Sequence, residues 1–182
     1  PVLNCHKTSA ERLRLLDRGY YDAIYDHTGV PGRIMDLASA LHPFEHPWMA
    51  LPTGTFYQAY DNNRILAEAA DRFLRARDAG AGHWRDILVD PLEGPVDIAY
   101  FLMTYHCLEA RQRGSAWEAI TRAPAKWVVA SLPCQSFARR GSQRYYAIAC
   151  DLESRIKDAG RQMHRLEWET ELTFIIEMDA TT

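Results

Sequence analysis

The sequence is poor in cysteine, lacks long apolar runs and has no excess of basic residues. Its four cysteines, Cys5, Cys107, Cys134 and Cys150, lie far apart and form no CxxC pair. We therefore expect neither a disulfide framework nor a metal site. No stretch of about 18 uninterrupted apolar residues occurs, and the N-terminus lacks the charged-then-apolar layout of a secretion signal. We predict a cytoplasmic protein with no membrane segment.

The charge balance limits the ways in which the protein can bind polyanions. The formal net charge is −3 and the isoelectric point is near 6.2, so the chain as a whole has no electrostatic attraction to nucleic acid. Any nucleic-acid surface must then be a local basic patch.

The length and the hydrophobic content suit one substantial core. With 182 residues, 47% of them hydrophobic, the chain fits a single domain over 1–182, with an opening helix in 1–27 and a core in 28–182. Short apolar or alternating segments predict strands at 33–38, 55–61, 84–88, 96–103, 126–133, 163–168 and 171–178. Helical spacing predicts helices at 8–25, at 63–79, around 116–120 and at 144–159.

This alternation is typical of a Rossmann-like α/β fold. We expect a mostly parallel seven-stranded sheet with helices on both faces. Because the last two predicted strands are adjacent in the sequence, they should form an antiparallel hairpin at one edge.

The residues that follow each predicted strand form the candidate site, because ligands of such sheets bind beyond the carboxyl ends of the strands. After the first strand comes a turn of small residues, Asp36-Leu37-Ala38-Ser39-Ala40-Leu41-His42-Pro43, which lets the backbone approach a ligand. The second strand ends at Asp61, at about the 20-residue spacing that suits an acid on a ribose. Asp86 and residues 102–106 follow the next two strands. Together these segments predict a nucleoside pocket, while each acid alone is equally compatible with a helix cap or a turn.

Three histidines near this pocket can be explained by structural roles as well as by metal or substrate binding. His42 and His46 have the i, i+4 spacing of metal ligands, but Pro43 and Pro47 interrupt the helix that would align them. We therefore predict turn and capping roles for the pair. His106 lies close enough in the predicted fold to contact a substrate, and a structural role is the alternative.

Several ordered motifs resemble the catalytic domain of the aminoglycoside-resistance 16S ribosomal RNA methyltransferases, which methylate guanine N7. His6-Lys7-Thr8-Ser9-Ala10-Glu11-Arg12-Leu13 resembles that family's His-x-Ser-Thr-x-Glu-Arg-Leu helix. The turn at 36–43 is similar to its Asp-Ile-Ala-Cys-Gly-Leu-Asn-Pro turn. Ser131-Leu132-Pro133-Cys134-Gln135-Ser136-Phe137-Ala138-Arg139-Arg140-Gly141 resembles its Ser-Phe-Pro-Thr-Arg-Ser-Leu-Gly-Gly-Arg-Gly loop. The segments at 108–116 and 170–172 also match.

The resemblance implies a class I methyltransferase that uses S-adenosylmethionine. It assigns a cofactor site to Arg12, Asp36, Ala38, Ser39, Ala40, Asp61, Asp86, Ile87 and Leu102. Within this set, Arg12 would hold the cofactor carboxylate, because a guanidinium pairs bidentately with a carboxylate; the alternative is a solvated helix charge. Ala38 and Ala40 would line the methionine side, Asp61 the ribose, and Asp86 with Ile87 the adenine.

The expected reaction needs no catalytic residue. Guanine N7 carries an available lone pair at neutral pH, so alignment and exclusion of water are the main demands. The resemblance and the local basic charge assign substrate contacts to Cys134, Gln135, Ser136, Arg139, Arg140, Arg144 and His106. Phe137, Tyr145 and Tyr146 are candidates for stacking on a base. The alternative is that these arginines begin a solvated helix and that the aromatic residues belong to the core.

The chain departs from the family pattern at residues that bear on function. Ala40 replaces a glycine and would crowd a ligand if its backbone has a positive φ. Met103, Gln135 and Ser142 stand where the family has basic residues that can contact RNA phosphates. The family also has a separate N-terminal helical domain, which we expect this chain to lack.

Three functions therefore stay open. The first is an RNA methyltransferase that acts on 16S rRNA in the 30S subunit. The second is a small-molecule methyltransferase, which the acidic balance favours. The third is a non-catalytic descendant that binds a nucleoside or a protein, which Ala40 and the lost basic residues favour.

Overall fold

A computed structural model describes residues 7–133 and 142–178 of the chain, without the side chains of residues 7–11 and 142–144. The strands in this part of the chain are β1 (Arg33–Leu37), β2 (Phe56–Asp61), β3 (Gly80–Trp84), β4 (Val96–Phe101), β5 (Ala125–Pro133), β6 (Met163–Glu167) and β7 (Glu171–Glu177). The α-helices are α1 (Lys7–Leu16), α2 (Tyr20–Thr28), α3 (Arg64–Arg75), α4 (Tyr105–Arg111), α5 (Ser115–Arg122) and α6 (Ser142–Asp158). A 3-10 helix (His42–Trp48) lies between β1 and β2.

The strands form one seven-stranded sheet in the order β3-β2-β1-β4-β5-β7-β6. Strands β1 to β5 are parallel, and β7 runs antiparallel between β5 and β6. The predicted Rossmann-like class I methyltransferase fold and its antiparallel edge hairpin are thus confirmed. The strand order reverses between β1 and β4, which is the position where open α/β sheets bind ligands.

The two faces of the sheet carry separate apolar layers, because successive residues of a strand point to opposite sides. Ile34 of β1 and Ile98 of β4 pack with α2 and α3. Their neighbours Met35 and Ala99 pack with α5 and α6. Helices therefore cover both faces, as predicted, and the carboxyl edge of the sheet stays accessible between them.

The opening segment forms two helices, so the prediction of one helix over 8–25 is wrong. Helix α1 ends at Leu16 and α2 begins at Tyr20. Gly19 lies between them with φ of 76°, a left-handed conformation that glycine adopts without steric cost. The change of direction buries Tyr20 and Tyr21 of α2 against the sheet.

The third strand is Gly80–Trp84, so the prediction of a strand over 84–88 is also wrong. Close packing explains the difference. A Cβ atom on Gly80 would overlap the carbonyl of Tyr57, and one on Gly82 would overlap the carbonyl of Ala67 in α3. The strand therefore begins with three small residues, Gly80, Ala81 and Gly82, and an apolar pattern does not reveal it. Asp86 still follows the strand, as predicted.

Two further findings concern the described residues only. None of the helices there combines the length and the apolar character needed to cross a bilayer. Cys107 and Cys150 are both free and exposed.

Candidate functional site

A cleft opens at the carboxyl edge of the sheet, where the turns after β1 and β4 face each other. It encloses about 540 Å³, counting the solvent at its mouth. Its walls come from α1, the two turns and the 3-10 helix: Arg12, Asp36, Ala38, Ser39, Ala40, Leu41, His42, Glu45, Leu102, Met103 and Thr104. The structure therefore brings together the predicted residues Arg12, Asp36, Ala38, Ser39, Ala40 and Leu102.

The turn after β1 lines the cleft and contains two residues in an unusual backbone conformation. Ala38 and Ala40 have φ of 57° and 46°, in the left-handed region that favours glycine. The positive φ that we considered for Ala40 is therefore present. Between them, the buried Ser39 hydroxyl has no hydrogen-bond partner among the described residues. The turn thus places two left-handed alanines and one unpaired hydroxyl at the wall of the cleft.

Asp61 holds this turn in place. Its Oδ2 accepts a hydrogen bond from the Ala40 amide at 2.8 Å, and its Oδ1 accepts one from the Asn63 amide at 2.7 Å. Burial raises the pKa of Asp61, and the two amides oppose that shift. Asp61 lines neither this cleft nor the neighbouring cavity, so its contact with a ribose stays a prediction.

A second cavity of about 330 Å³ adjoins the cleft at Ala38. Asp86 and Ile87, the predicted adenine contacts, lie in its wall. Asp86 Oδ1 accepts a hydrogen bond from the Leu88 amide at 3.0 Å, which fixes the loop after β3. A ligand with two parts, one on each side of Ala38, fits this arrangement.

The cleft rests on a buried ion pair. Arg12 Nη2 donates to Glu171 Oε2 at 3.0 Å, and the two side chains are 5% and 3% exposed. Tyr20 donates to the other Glu171 oxygen at 2.7 Å. Burial lowers the pKa of Arg12, but the carboxylates of Glu171 and Glu45 together raise it by more, so the net shift is upward. The alternative of a solvated Arg12 is therefore wrong.

A chain of hydrogen bonds links two further acids. His42 Nδ1 lies 2.9 Å from Asp36 Oδ2, and Tyr57 donates to the same oxygen at 2.7 Å. On the other side of the ring, His42 Nε2 lies 2.8 Å from the Tyr21 hydroxyl, which donates to Glu45 Oε2 at 2.7 Å. His42 is thus a buried member of the cleft floor. Its amide also donates to the Ser39 carbonyl at 2.8 Å, so the predicted turn role is present as well.

Burial is the main influence on the pKa values of the groups in this hydrogen-bond chain. It raises the pKa of Glu45, with Arg12 and His42 opposing the shift. It also raises the pKa of Tyr21 and of Tyr57 far above the usual value for tyrosine. Both tyrosines therefore keep their protons at neutral pH.

The predicted substrate contacts can be placed only in part. His106 is half-buried on α4, and its ring meets that of Tyr145 on α6 at a centroid distance of 5.2 Å. Tyr146 is 62% exposed. Residues 134–141, with Cys134, Gln135, Ser136, Phe137, Arg139 and Arg140, lie outside the described residues, as does the side chain of Arg144.

The cleft also contains residues that the sequence did not assign. Glu45 lines it, and Glu171 holds Arg12 from β7. Met103 and Thr104 also line it, and they belong to the segment 102–106 that the sequence did place at the pocket. The position of Glu45 in a predicted turn gave no sign of its burial, and Glu171 is 159 residues away from Arg12. Among the described side chains, no three histidine, cysteine or acidic groups cluster so as to hold a metal ion.

The family model for ribosomal RNA methyltransferase (FmrO) matches residues 1–175. The chain belongs to this family. The resemblance stated from the sequence is therefore confirmed, and the turn after β1 and the Arg12 helix both lie inside the FmrO match.

Known relatives agree with this membership. The chain is 32% identical over 179 residues to the 16S rRNA (guanine(1405)-N(7))-methyltransferase of Micromonospora echinospora, covering 97% of this chain and 64% of the relative. The enzyme of the same name from Micromonospora rosea is 31% identical over 176 residues, with 96% and 64% coverage. The chain thus spans just under two thirds of the length of these FmrO-family relatives.

Solved structures share the fold. The 16S rRNA methyltransferase RmtF, crystallised with S-adenosyl-L-homocysteine, superimposes with a TM-score of 0.80 at 23% identity, covering 97% of this chain and 66% of that chain. An rRNA methylase from Escherichia coli gives a TM-score of 0.77, also at 23% identity, with 97% and 69% coverage.

Proposed function

We propose that this chain is the S-adenosylmethionine-binding and catalytic unit of a methyltransferase that modifies guanine N7 of 16S rRNA in the 30S subunit. The observation that carries the proposal is the cleft at the β1/β4 reversal, whose wall joins Arg12 to a turn of left-handed small residues. Relatives named for this reaction share the family. We place the protein in the cytoplasm, with the ribosome.

The residues of the cleft fit the cofactor by charge. Arg12 would hold the carboxylate of the amino-acid part, while Asp36 and Glu45 suit its ammonium and sulfonium charges. The unpaired Ser39 hydroxyl gives one more polar contact. Across Ala38, Asp86 and Ile87 would take the adenine, and Asp61 remains the candidate for the ribose.

When bound, S-adenosylmethionine supplies an electrophilic methyl group on a sulfonium. The protein's part is to bind, to orient and to exclude water, because N7 needs no deprotonation before attack. We propose that His106, Arg144 and the 134–140 segment contact the RNA. No general base is required of any of these residues.

Methyl transfer from labelled cofactor tests the proposal. The purified chain is incubated with 30S subunits, with bare 16S rRNA and with a metabolite extract, and label at guanine N7 is mapped in the RNA. The expected result is label in 30S rRNA that Arg12→Ala reduces by at least tenfold. Label in the metabolites alone would show a small-molecule methyltransferase. Absence of cofactor binding by calorimetry would support a non-catalytic descendant.

A further inference from the structure

The hydrogen-bond chain beneath the cleft has too few protons of its own. The Tyr57 hydroxyl has one proton, which it donates to Asp36 at 2.7 Å. The contact between His42 Nδ1 and Asp36 needs a second proton, which a neutral imidazole can supply. The Tyr57 hydroxyl also lies 3.1 Å from His42 Nδ1 and can accept from the same N–H. Two more contacts run from His42 Nε2 to Tyr21 and from Tyr21 to Glu45, and Tyr21 can donate in only one of them.

One additional proton satisfies every contact. It can sit on Glu45, which then donates to Tyr21 and turns the Tyr21 proton toward His42. Without it, two lone pairs face each other across a buried contact, which is costly. Asp36, His42, Tyr21 and Glu45 together therefore hold one additional proton. The reference is the same group with both carboxyl groups ionised and the histidine neutral.

This group shares its wall with the proposed cofactor site. Asp36, His42 and Glu45 all line the cleft, where a cation must enter. A positive charge at that position lowers the affinity of nearby acids for protons. Other titratable groups pack around these hydrogen-bonded residues. They are Arg12 of α1, Tyr20 and Tyr25 of α2, Tyr57 and Asp61 of β2, Tyr100 of β4, and Glu171 of β7.

We infer that Asp36, His42, Tyr21 and Glu45 form a proton-sharing relay that releases its additional proton when the cationic cofactor enters the cleft. In this scheme Glu45 faces the positive charge of the cofactor, His42 acts through its neighbours as a positioning residue, and neither takes part in methyl transfer. The inference rests on the proposed function, because it requires that S-adenosylmethionine binds here. Burial, which raises the pKa of Glu45, helps the apo relay to keep the proton.

Calorimetry in buffers with different ionisation enthalpies measures the released proton directly. S-adenosylmethionine is titrated into the protein between pH 5.5 and 7.0, below the usual pKa of the cofactor's own ammonium, near 8. We expect a release of up to about one proton per bound cofactor and a Kd that falls by up to about tenfold per pH unit as pH rises. S-adenosylhomocysteine, which lacks the sulfonium charge, should release less.

Glu45→Gln isolates the relay. The glutamine amide can donate to Tyr21, and Tyr21 can then donate to a neutral His42, so all contacts are kept without the additional proton. This variant has lost one negative charge facing the cofactor and should bind it more weakly, but with no linked release and with a Kd that does not vary with pH. Glu68→Gln, the same change at an exposed residue of α3, is the matched control and should keep the wild-type release. His42→Asn serves if Glu45→Gln fails to fold.

The outcomes separate the two proposals. Equal heats in all buffers for the wild-type protein, or wild-type release in the relay variant that folds, would overturn this inference and leave the proposed function intact. No cofactor binding by the wild-type protein would overturn both.

Discussion

Arg12 and Glu171 are paired at 3.0 Å in the interior, although 159 residues separate them in the sequence. A second pair, Arg18 with Glu169 at 3.4 Å, links the same two parts of the chain at the surface. The two pairs differ mainly in burial. Since a buried charge that loses its partner is costly while exposed pairs contribute little, the two should respond very differently to the same substitution.

Glu171→Gln should therefore destabilise the protein strongly. The substitution removes the charge facing Arg12, which we expect to cost about 3 kcal/mol and to lower the melting temperature by about 6–12 °C. Glu169→Gln at the surface should cost under about 1 kcal/mol. Thermal unfolding followed by circular dichroism measures both. Equal melting temperatures for the two variants would show that burial does not distinguish the pairs.

Ala40→Gly should stabilise the protein. Ala40 has φ of 46°, and glycine adopts that conformation without the clash of a Cβ atom, so we expect a gain of about 1 kcal/mol. Ala69→Gly in the middle of α3 is the control and should lose about 1 kcal/mol. Urea unfolding gives both values. A loss of stability in Ala40→Gly would mean that the methyl group makes a packing contribution greater than the strain.

Ser39→Ala should separate binding from stability. The Ser39 hydroxyl is buried without a partner among the described residues, so its removal should leave the free energy of unfolding unchanged or slightly higher. If the hydroxyl contacts the cofactor, the Kd for S-adenosylmethionine should rise by up to about tenfold. Unfolding and calorimetry on the same preparation test the two halves. A wild-type Kd would remove Ser39 from the cofactor site.

His83→Gln should flatten the dependence of stability on pH. Burial lowers the pKa of His83 in the folded protein, so the unfolded chain takes up a proton at a higher pH than the folded one. Wild-type stability is therefore lost as pH falls from about 6.5, the ordinary value for histidine, through the lower folded pKa. Urea midpoints at pH 7.5, 6.5 and 5.5 should fall less steeply in the variant. Parallel curves would contradict this assignment.

Local patterns were enough to predict six of the seven strands and one wall of the cleft. The apolar run of β1 and the turn from Asp36 to Ala40 are contiguous in sequence, so their geometry could be expected from spacing alone. The hairpin of β6 and β7 was also visible, because its strands are adjacent.

The remaining parts depend on contacts that no local window contains. The strand at Gly80 exists because glycines let α3 and β2 approach closely, and glycine carries no strand pattern. Glu45 is held in the cleft by a hydrogen bond from Tyr21, which belongs to helix α2 and follows Gly19 in the sequence. Such partners are chosen by packing between distant segments, so only the folded structure reveals them.

Because β7 lies between β5 and β6 and is the last strand in the sequence, the contacts of α1 and β5 with it form only at the end of synthesis. At about 5–20 residues per second, roughly 10 to 30 s pass between the emergence of Arg12 and that of Glu171. During that interval the nascent helix α1 lacks the carboxylate that holds it, and β5 has a free edge. A ribosome paused before residue 171 should therefore display a chain that proteases cut readily near α1, whereas the released protein resists them.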